Sequence, residues 1–178
     1  RKNMIAVLGI GILTTFSAQS AVVKPLDNAA ARGDIEAVRQ LLRDGAEVND
    51  AQGDGMTALH WAAEIGDTQL ASMLIYAGSN IEAGTRIGQY TPLHIASRNG
   101  RTDIVQALLG VGANVHRKTT NSGVTAIHLA AISGDEESVA ALIEAGADVN
   151  TRESRWGQTP LIFAASANRV AVLEVLLD

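Results

Sequence analysis

Five stretches of the chain carry apolar residues at the spacing of one helix face: Val38, Leu41 and Leu42; Leu70, Met73 and Leu74; Val105, Leu108 and Leu109; Val139, Leu142 and Ile143; Val172, Leu173 and Leu176. Each predicts a short amphipathic helix. Four of them run into a glycine (Gly45, Gly78, Gly112 or Gly146), the residue that best ends a helix in left-handed backbone. Upstream of each stretch lies a second, more uniformly apolar segment. These segments begin at Thr57-Ala58-Leu59-His60, Thr91-Pro92-Leu93-His94, Thr125-Ala126-Ile127-His128 and Thr159-Pro160-Leu161-Ile162. Threonine offers a side-chain oxygen to the free amides of a helix start, and Pro or Ala suits the first turn. The segments stop at Gly33, Gly66, Gly100 and Gly134, with Asn168 in the last copy, and an Asp or Arg then opens the following helix. The pattern therefore predicts pairs of short helices.

The pairs recur. The Thr-initiated motif returns every 34 residues, and a degenerate copy, Lys24-Pro25-Leu26-Asp27, stands 33 residues upstream of the first. A second marker recurs at Gly45-Ala46-Glu47-Val48-Asn49, Gly78-Ser79-Asn80-Ile81-Glu82, Gly112-Ala113-Asn114-Val115-His116 and Gly146-Ala147-Asp148-Val149-Asn150, always 21 residues after the first. The inserted residue thus falls in the connection from the second marker to the next copy, where loops tolerate it. Pro25, Pro92 and Pro160, all the prolines of the chain, share one repeat position.

In these two motifs the chain resembles the ankyrin repeat family over about residues 21 to 178. The resemblance implies an all-α repeat solenoid of about five helix-turn-helix units with β-turn fingers along one edge. It divides the chain into an N-terminal capping repeat over 21–52, repeats over 53–86, 87–120 and 121–154, and a partial repeat over 155–178. The first copy departs from the pattern with Lys24 for Thr and Asp27 for His. With Arg32, Asp34, Glu36, Arg39 and Arg43 nearby, it suits a polar cap. The last copy stops at Leu177-Asp178, where the family's Gly-Ala follows, and the expectation is a longer array.

Composition sharpens this. Hydrophobic residues make up 47% and aromatics only 3%, with 29 Ala and 17 Leu, so the core is built from small side chains on thin, closely stacked helices. The net charge of -5 argues against a general nucleic-acid binder. Absence of cysteine removes disulfides, thiolate-bound zinc and a thiol nucleophile. His60, His94 and His128 share one repeat position. Equivalent positions on stacked helices lie roughly 8–10 Å apart, too far to share one ion, so these imidazoles are expected to tie neighbouring loops together. His116 has no partner in sequence. Asp135-Glu136-Glu137 suits the positive end of a helix dipole, and Gly53-Asp54-Gly55 lacks the strand and Lys of a phosphate loop. No active site, cofactor site or metal site is expected.

Arg1 and Lys2, an uncharged apolar run from Met4 to Phe16 and the small-x-small site Ala18-Gln19-Ser20 read as a secretory signal over residues 1–20, cut before Ala21. The run is short for a membrane span. The expected location is periplasmic or secreted, with an uncleaved membrane anchor or a buried N-terminal helix as alternatives. Removal of residues 1–20 leaves 12 positive and 19 negative residues, a net charge of -7.

Such a solenoid presents its finger tips and the exposed side of its first helices to a partner. Finger candidates are Asp54, Met56, Ile87, Gln89, Tyr90, Asn121, Ser122, Val124, Arg155, Trp156 and Gln158. Helix candidates are Glu64, Ile65, Arg98, Asn99, Ile132 and Ser133. Tyr90, Arg98, Arg155 and Trp156 are the expected anchors, because Trp, Tyr and Arg dominate interface hot spots; Met56, Ile87, Glu64 and Ile132 complete the expected site. For Trp156 the alternative is that it merely covers the adjacent finger. Trp61 and Phe163, which take the place of Ile95 and Leu129, are expected in the core. The function these features imply is a non-enzymatic, exported scaffold for a protein partner. The alternatives are the targeting arm of an enzyme whose catalytic domain lies past Asp178, or a secreted effector directed at host proteins.

Overall fold

The computed structural model describes residues 25–178, so the signal expected over residues 1–20 lies outside the described residues. Ten helices follow in pairs: α1 (Pro25–Ala31) with α2 (Ile35–Arg43), α3 (Ala58–Ile65) with α4 (Thr68–Tyr76), α5 (Pro92–Arg98) with α6 (Thr102–Gly110), α7 (Ala126–Ser133) with α8 (Glu136–Glu144), and α9 (Pro160–Ser166) with α10 (Val170–Leu177). The first helices stack in one row, α1 on α3 on α5 on α7 on α9, and α4, α6, α8 and α10 form the second row behind them. This is the expected all-α solenoid of helix pairs.

Local chemistry explains each boundary. Asp34, Asp67 and Asp135 accept the amides of Ala37, Leu70 and Ser138 and so cap α2, α4 and α8. Arg101 and Arg169 occupy the same position before α6 and α10 but work in the other direction. Their guanidinium groups donate to the carbonyls of Glu64 and Ile132, in the last turns of α3 and α7 in the preceding pair. A cation at that end also suits the helix dipole. Asn168 adopts the left-handed conformation, φ 56°, that glycine takes in the other copies.

Val38, Leu70, Leu74, Val105, Leu108, Val139, Leu142 and Val172 are fully buried. Across the first-helix row Ala62, Ala63, Ala96, Ala130 and Ala131 are closed to solvent, and their small side chains permit the close stacking. Ser97 stands where the other copies have Ala63, Ala131 and Ala165. Its hydroxyl is buried and makes no hydrogen bond among the described residues. Replacing Ser97 by Ala removes a desolvated, unpaired polar group, and thermal denaturation is expected to show a gain of about 1 kcal/mol.

Between pairs the chain turns out into fingers over residues 51–57, 85–91, 119–125 and 153–159, numbered here 2 to 5 after the helix pair each precedes. Successive fingers are bonded through the backbone: Arg86 N–H donates to Asp54 O at 2.7 Å, Thr120 to Gly88 at 2.9 Å and Ser154 to Ser122 at 2.7 Å. Gly55 shows how tight this ladder is. Its φ is +85°, and a Cβ there would stand 2.5 Å from the Arg86 nitrogen. Gly78 has a similar φ of +89° but open space around it. Both Gly→Ala substitutions incur left-handed strain of about 1–2 kcal/mol. Gly55→Ala is expected to lose more than Gly78→Ala in urea titration, because only there does the new methyl meet a neighbouring finger.

Candidate functional site

Fingers 2 and 3 and the helices behind them, α3 and α5, enclose a groove of about 420 Å³. Its floor is apolar: Met56, Trp61 and Tyr90 are half-buried and Ile95 is buried. Asp54, Ile87 and Arg98 stand at its rim, with Ile87 80% exposed. Five expected site residues, Met56, Ile87, Tyr90, Glu64 and Arg98, therefore meet in one place. Arg98 is not a loose anchor, however. Its guanidinium bonds to the Glu64 carboxylate at 2.8 Å, and Asn99 donates to the same oxygen at 3.1 Å, joining α5 to α3. This pair is solvent-exposed enough to contribute only about 0.2–1 kcal/mol.

Trp61 departs from the expectation of a core residue. It packs on the core with one side and walls the groove with the other, and its buried indole N–H has no acceptor among the described residues. The signal was available: Trp61 and Ile95 lie three residues before Glu64 and Arg98, on the same side of their helices. Phe163, at the same position, is half-buried and meets the His128 ring edge-on at 5.1 Å. Val124 also departs, since it is 5% exposed at the root of finger 4 rather than on the surface. Tyr90 takes the equivalent place in finger 3, where its ring lies edge-on to His94 at 6.0 Å.

Arg155 and Trp156 sit apart from the groove, at the tip of finger 5. The guanidinium carbon stands 4.4 Å from the indole centroid, and Trp156 is 69% exposed. Below them Glu153 is buried, and its carboxylate accepts the amides of Arg155 and Trp156 at 2.6 Å and of Gln158 at 3.0 Å. Burial of this carboxyl works to raise its pKa. The donated amides of Gln158, Arg155 and Trp156 outweigh burial, and the net shift is downward. Ile132, 40% exposed at the end of α7, belongs to neither cluster.

Threonine and histidine do something the capping rule did not foresee. In three copies the Thr amide donates to the histidine Nδ1, at 3.1 Å for His60 and 3.2 Å for His94 and His128, and the Thr hydroxyl also meets Nδ1 at 2.8–3.0 Å. A backbone N–H can only donate, so Nδ1 carries the lone pair and Nε2 the proton. Nε2 then donates across to the next unit, to Tyr90 O at 2.9 Å, Arg117 O at 3.0 Å and Gln158 O at 3.2 Å. The three imidazoles are thus tie bars with both nitrogens in use, from a helix start to the following finger for His60 and His128 and to Arg117, in the loop leading into finger 4, for His94. Burial lowers all three pKa values, that of His94 to about 4. Among the described residues no group of three His, Cys, Asp or Glu side chains is placed to hold a metal, and no helix is long and apolar enough to cross a membrane.

The family models agree with this geometry. Residues 26–119 match the model described as ankyrin repeats (3 copies), and residues 127–177 match ankyrin repeats (many copies). The chain belongs to the ankyrin repeat family. Among curated ankyrin proteins it is 38% identical over 65 residues to ankyrin repeat domain-containing protein 40 of Mus musculus and of Homo sapiens, a match that takes in 36% of this chain and 18% of either relative. It is 37% identical over 62 residues to palmitoyltransferase AKR1 of Candida glabrata, covering 33% of this chain and 8% of that protein. The likeness therefore spans less than a fifth of each relative's length. Ankyrin repeat domains are typically non-catalytic, and they generally bind protein partners.

Proposed function

We propose that this chain is an exported, non-enzymatic scaffold that holds a protein partner in the groove between fingers 2 and 3. The observation that carries the reading is the groove itself: an apolar floor of Met56, Trp61 and Tyr90 with the exposed Ile87 at its rim. Desolvating such a surface drives association, and aromatic floors of this kind supply hot spots. The Glu64–Arg98 pair and the bonded fingers hold the site in one shape before a partner arrives, which lowers the entropy lost on binding. Ile87→Asp and Met56→Asp place a charge where the partner's apolar group is to sit. Each is expected to weaken capture of the partner from extracts of the source organism by about tenfold or more, and for Ile87→Asp, at an exposed position, the melting temperature is expected to stay unchanged. Undiminished capture by both variants would refute the groove as the site. Export is tested separately by fusing residues 1–40 to a reporter, and cytoplasmic retention of the fusion would count against it.

A second reading, the targeting arm of an enzyme, takes its support from the resemblance to a palmitoyltransferase that carries such repeats. Sequencing the gene past the codon for Asp178 tests it, and further repeats alone would remove it.

A further inference from the structure

We infer that fingers 4 and 5 form a second docking surface, selective for an acidic stretch of polypeptide. This rests on the reading of the finger row as a binding face, but on residues outside the groove. Lys118, just before finger 4, reaches across to the base of finger 5, its Nζ donating to the Arg152 carbonyl at 3.2 Å. The Arg152 guanidinium in turn donates to Gly157 O at 2.8 Å, beside the exposed indole of Trp156, on which Arg155 lies. Lys118 and Arg152 thus meet through a backbone carbonyl, and Arg155 lies over the indole on the same finger that the Arg152 guanidinium bonds. Among the described residues the ion pairs are Arg39–Glu36 and Arg98–Glu64, so none of these three cations is matched by a carboxylate. Glu153 lies within the same tip, but it is 4% exposed and its charge is solvated by finger amides rather than by the cations. Those bonds also fix the tip, so the Arg155–Trp156 pair is presented ready-formed.

Asp148 lines the same pocket as Lys118 without forming an ion pair, and the guanidinium groups of Arg152 and Arg155 make none either, so on a chain of net charge -5 these cations favour an anionic partner. Guanidinium groups take carboxylates with paired, directional bonds, and the free face of the indole takes an aliphatic side chain next to them. The neighbouring tip residues Asn121, Ser122 and Ser154 are polar, which leaves too little apolar surface to enter a bilayer. A single aromatic on an acidic chain is a poor platform for nucleic acid. The observations favour a peptide segment in which Asp or Glu adjoins a Leu or similar side chain.

The test is a selection of random dodecapeptides against the immobilised full chain. Enriched peptides are then measured in solution beside phosphatidylserine vesicles and a single-stranded oligonucleotide. The expected result is an excess of Asp and Glu among the enriched peptides and about tenfold weaker binding at high salt. The acidic preference is expected to vanish in the K118S/R152S/R155S variant and binding to weaken in Trp156→Ala, with melting unchanged in both because the altered side chains are exposed. Enriched peptides without acidic excess, an undiminished preference in the triple variant, or tighter binding of vesicles or oligonucleotide would each overturn the inference. Peptides that lack acidic bias yet are lost in Ile87→Asp would overturn it while leaving the groove standing. Acidic peptides insensitive to Ile87→Asp would support it even if the groove reading fails.

Discussion

Lowering the pH from about 7.5 to about 5 is expected to destabilise the solenoid by about 2 kcal/mol through His94 alone, with His60 and His128 adding in the same direction. The sign follows from where the protons go. In the folded chain burial holds the His94 pKa near 4, below its ordinary value of 6.5, so the imidazole is neutral there at pH 5 and protonated in the unfolded chain. The unfolded state therefore binds more protons, and stability present above pH 6.5 is lost as the pH falls toward 4. A proton on Nδ1 would face the Thr91 amide, a donor against a donor. Depressed carboxylates lose their contribution only at lower pH: Glu153, whose ordinary value is 4.5, stabilises the fold above that value and fails below it. Urea midpoints at the two pH values, taken at constant ionic strength, test this. Equal midpoints would show that the histidines are not buried as neutral tie bars.

Replacing His94 by Leu should lower stability at pH 7.5 by about 3 kcal/mol although the volume is similar, because the substitution strands groups on both sides of the ladder. Thr91 loses the acceptor for its amide and hydroxyl, and Arg117 O loses the Nε2 proton. At a site 1% exposed, water cannot replace these bonds. The same variant should have a flatter pH dependence between about pH 7.5 and 5, since the most depressed of the three groups is gone. A loss of stability with the full pH slope retained would separate the two effects and leave His94 a purely structural donor. The control substitution His116→Leu, on an exposed residue whose backbone amide bonds to Asn114, is expected to leave stability at pH 7.5 unchanged.

Most of the architecture was legible in the chain. The 34-residue period located the helix starts, and the apolar spacing located the buried face of each second helix. Both signals are local, and each is repeated in several copies. Even the substitution of Asn168 for glycine could be read, because asparagine also tolerates left-handed backbone. Less legible was what a position does when it faces two ways. Trp61 reads as core from its alignment with Ile95 and Leu129, and it does pack on the core, yet its outer side walls the groove. Arg98 reads as an anchor because it is an arginine on an exposed face, but a glutamate 34 residues earlier lies within 2.8 Å of it. Glu153 breaks the Thr85 and Thr119 pattern without any clue in sequence that it would hold the tip of finger 5 through three amides.

By itself the sequence determined the helix pairs, their number and order and the absence of thiol chemistry, since these depend on residue type and near-neighbour spacing; that the shared histidines tie loops together was expected, but their Nδ1 bonds to the Thr amides and the carbonyls they reach, 23 to 30 residues on, came from the structure. The tertiary structure alone decided which exposed residues act together. It gathered Met56, Trp61 and Tyr90 into one groove, committed Arg98 to Glu64, and left Lys118, Arg152 and Arg155 without ion-pair partners, Arg155 over an exposed indole. Stacking brings together side chains a repeat apart, and whether a charge finds its counter-charge or an apolar face finds cover is settled across that gap, beyond the reach of any pattern within one unit.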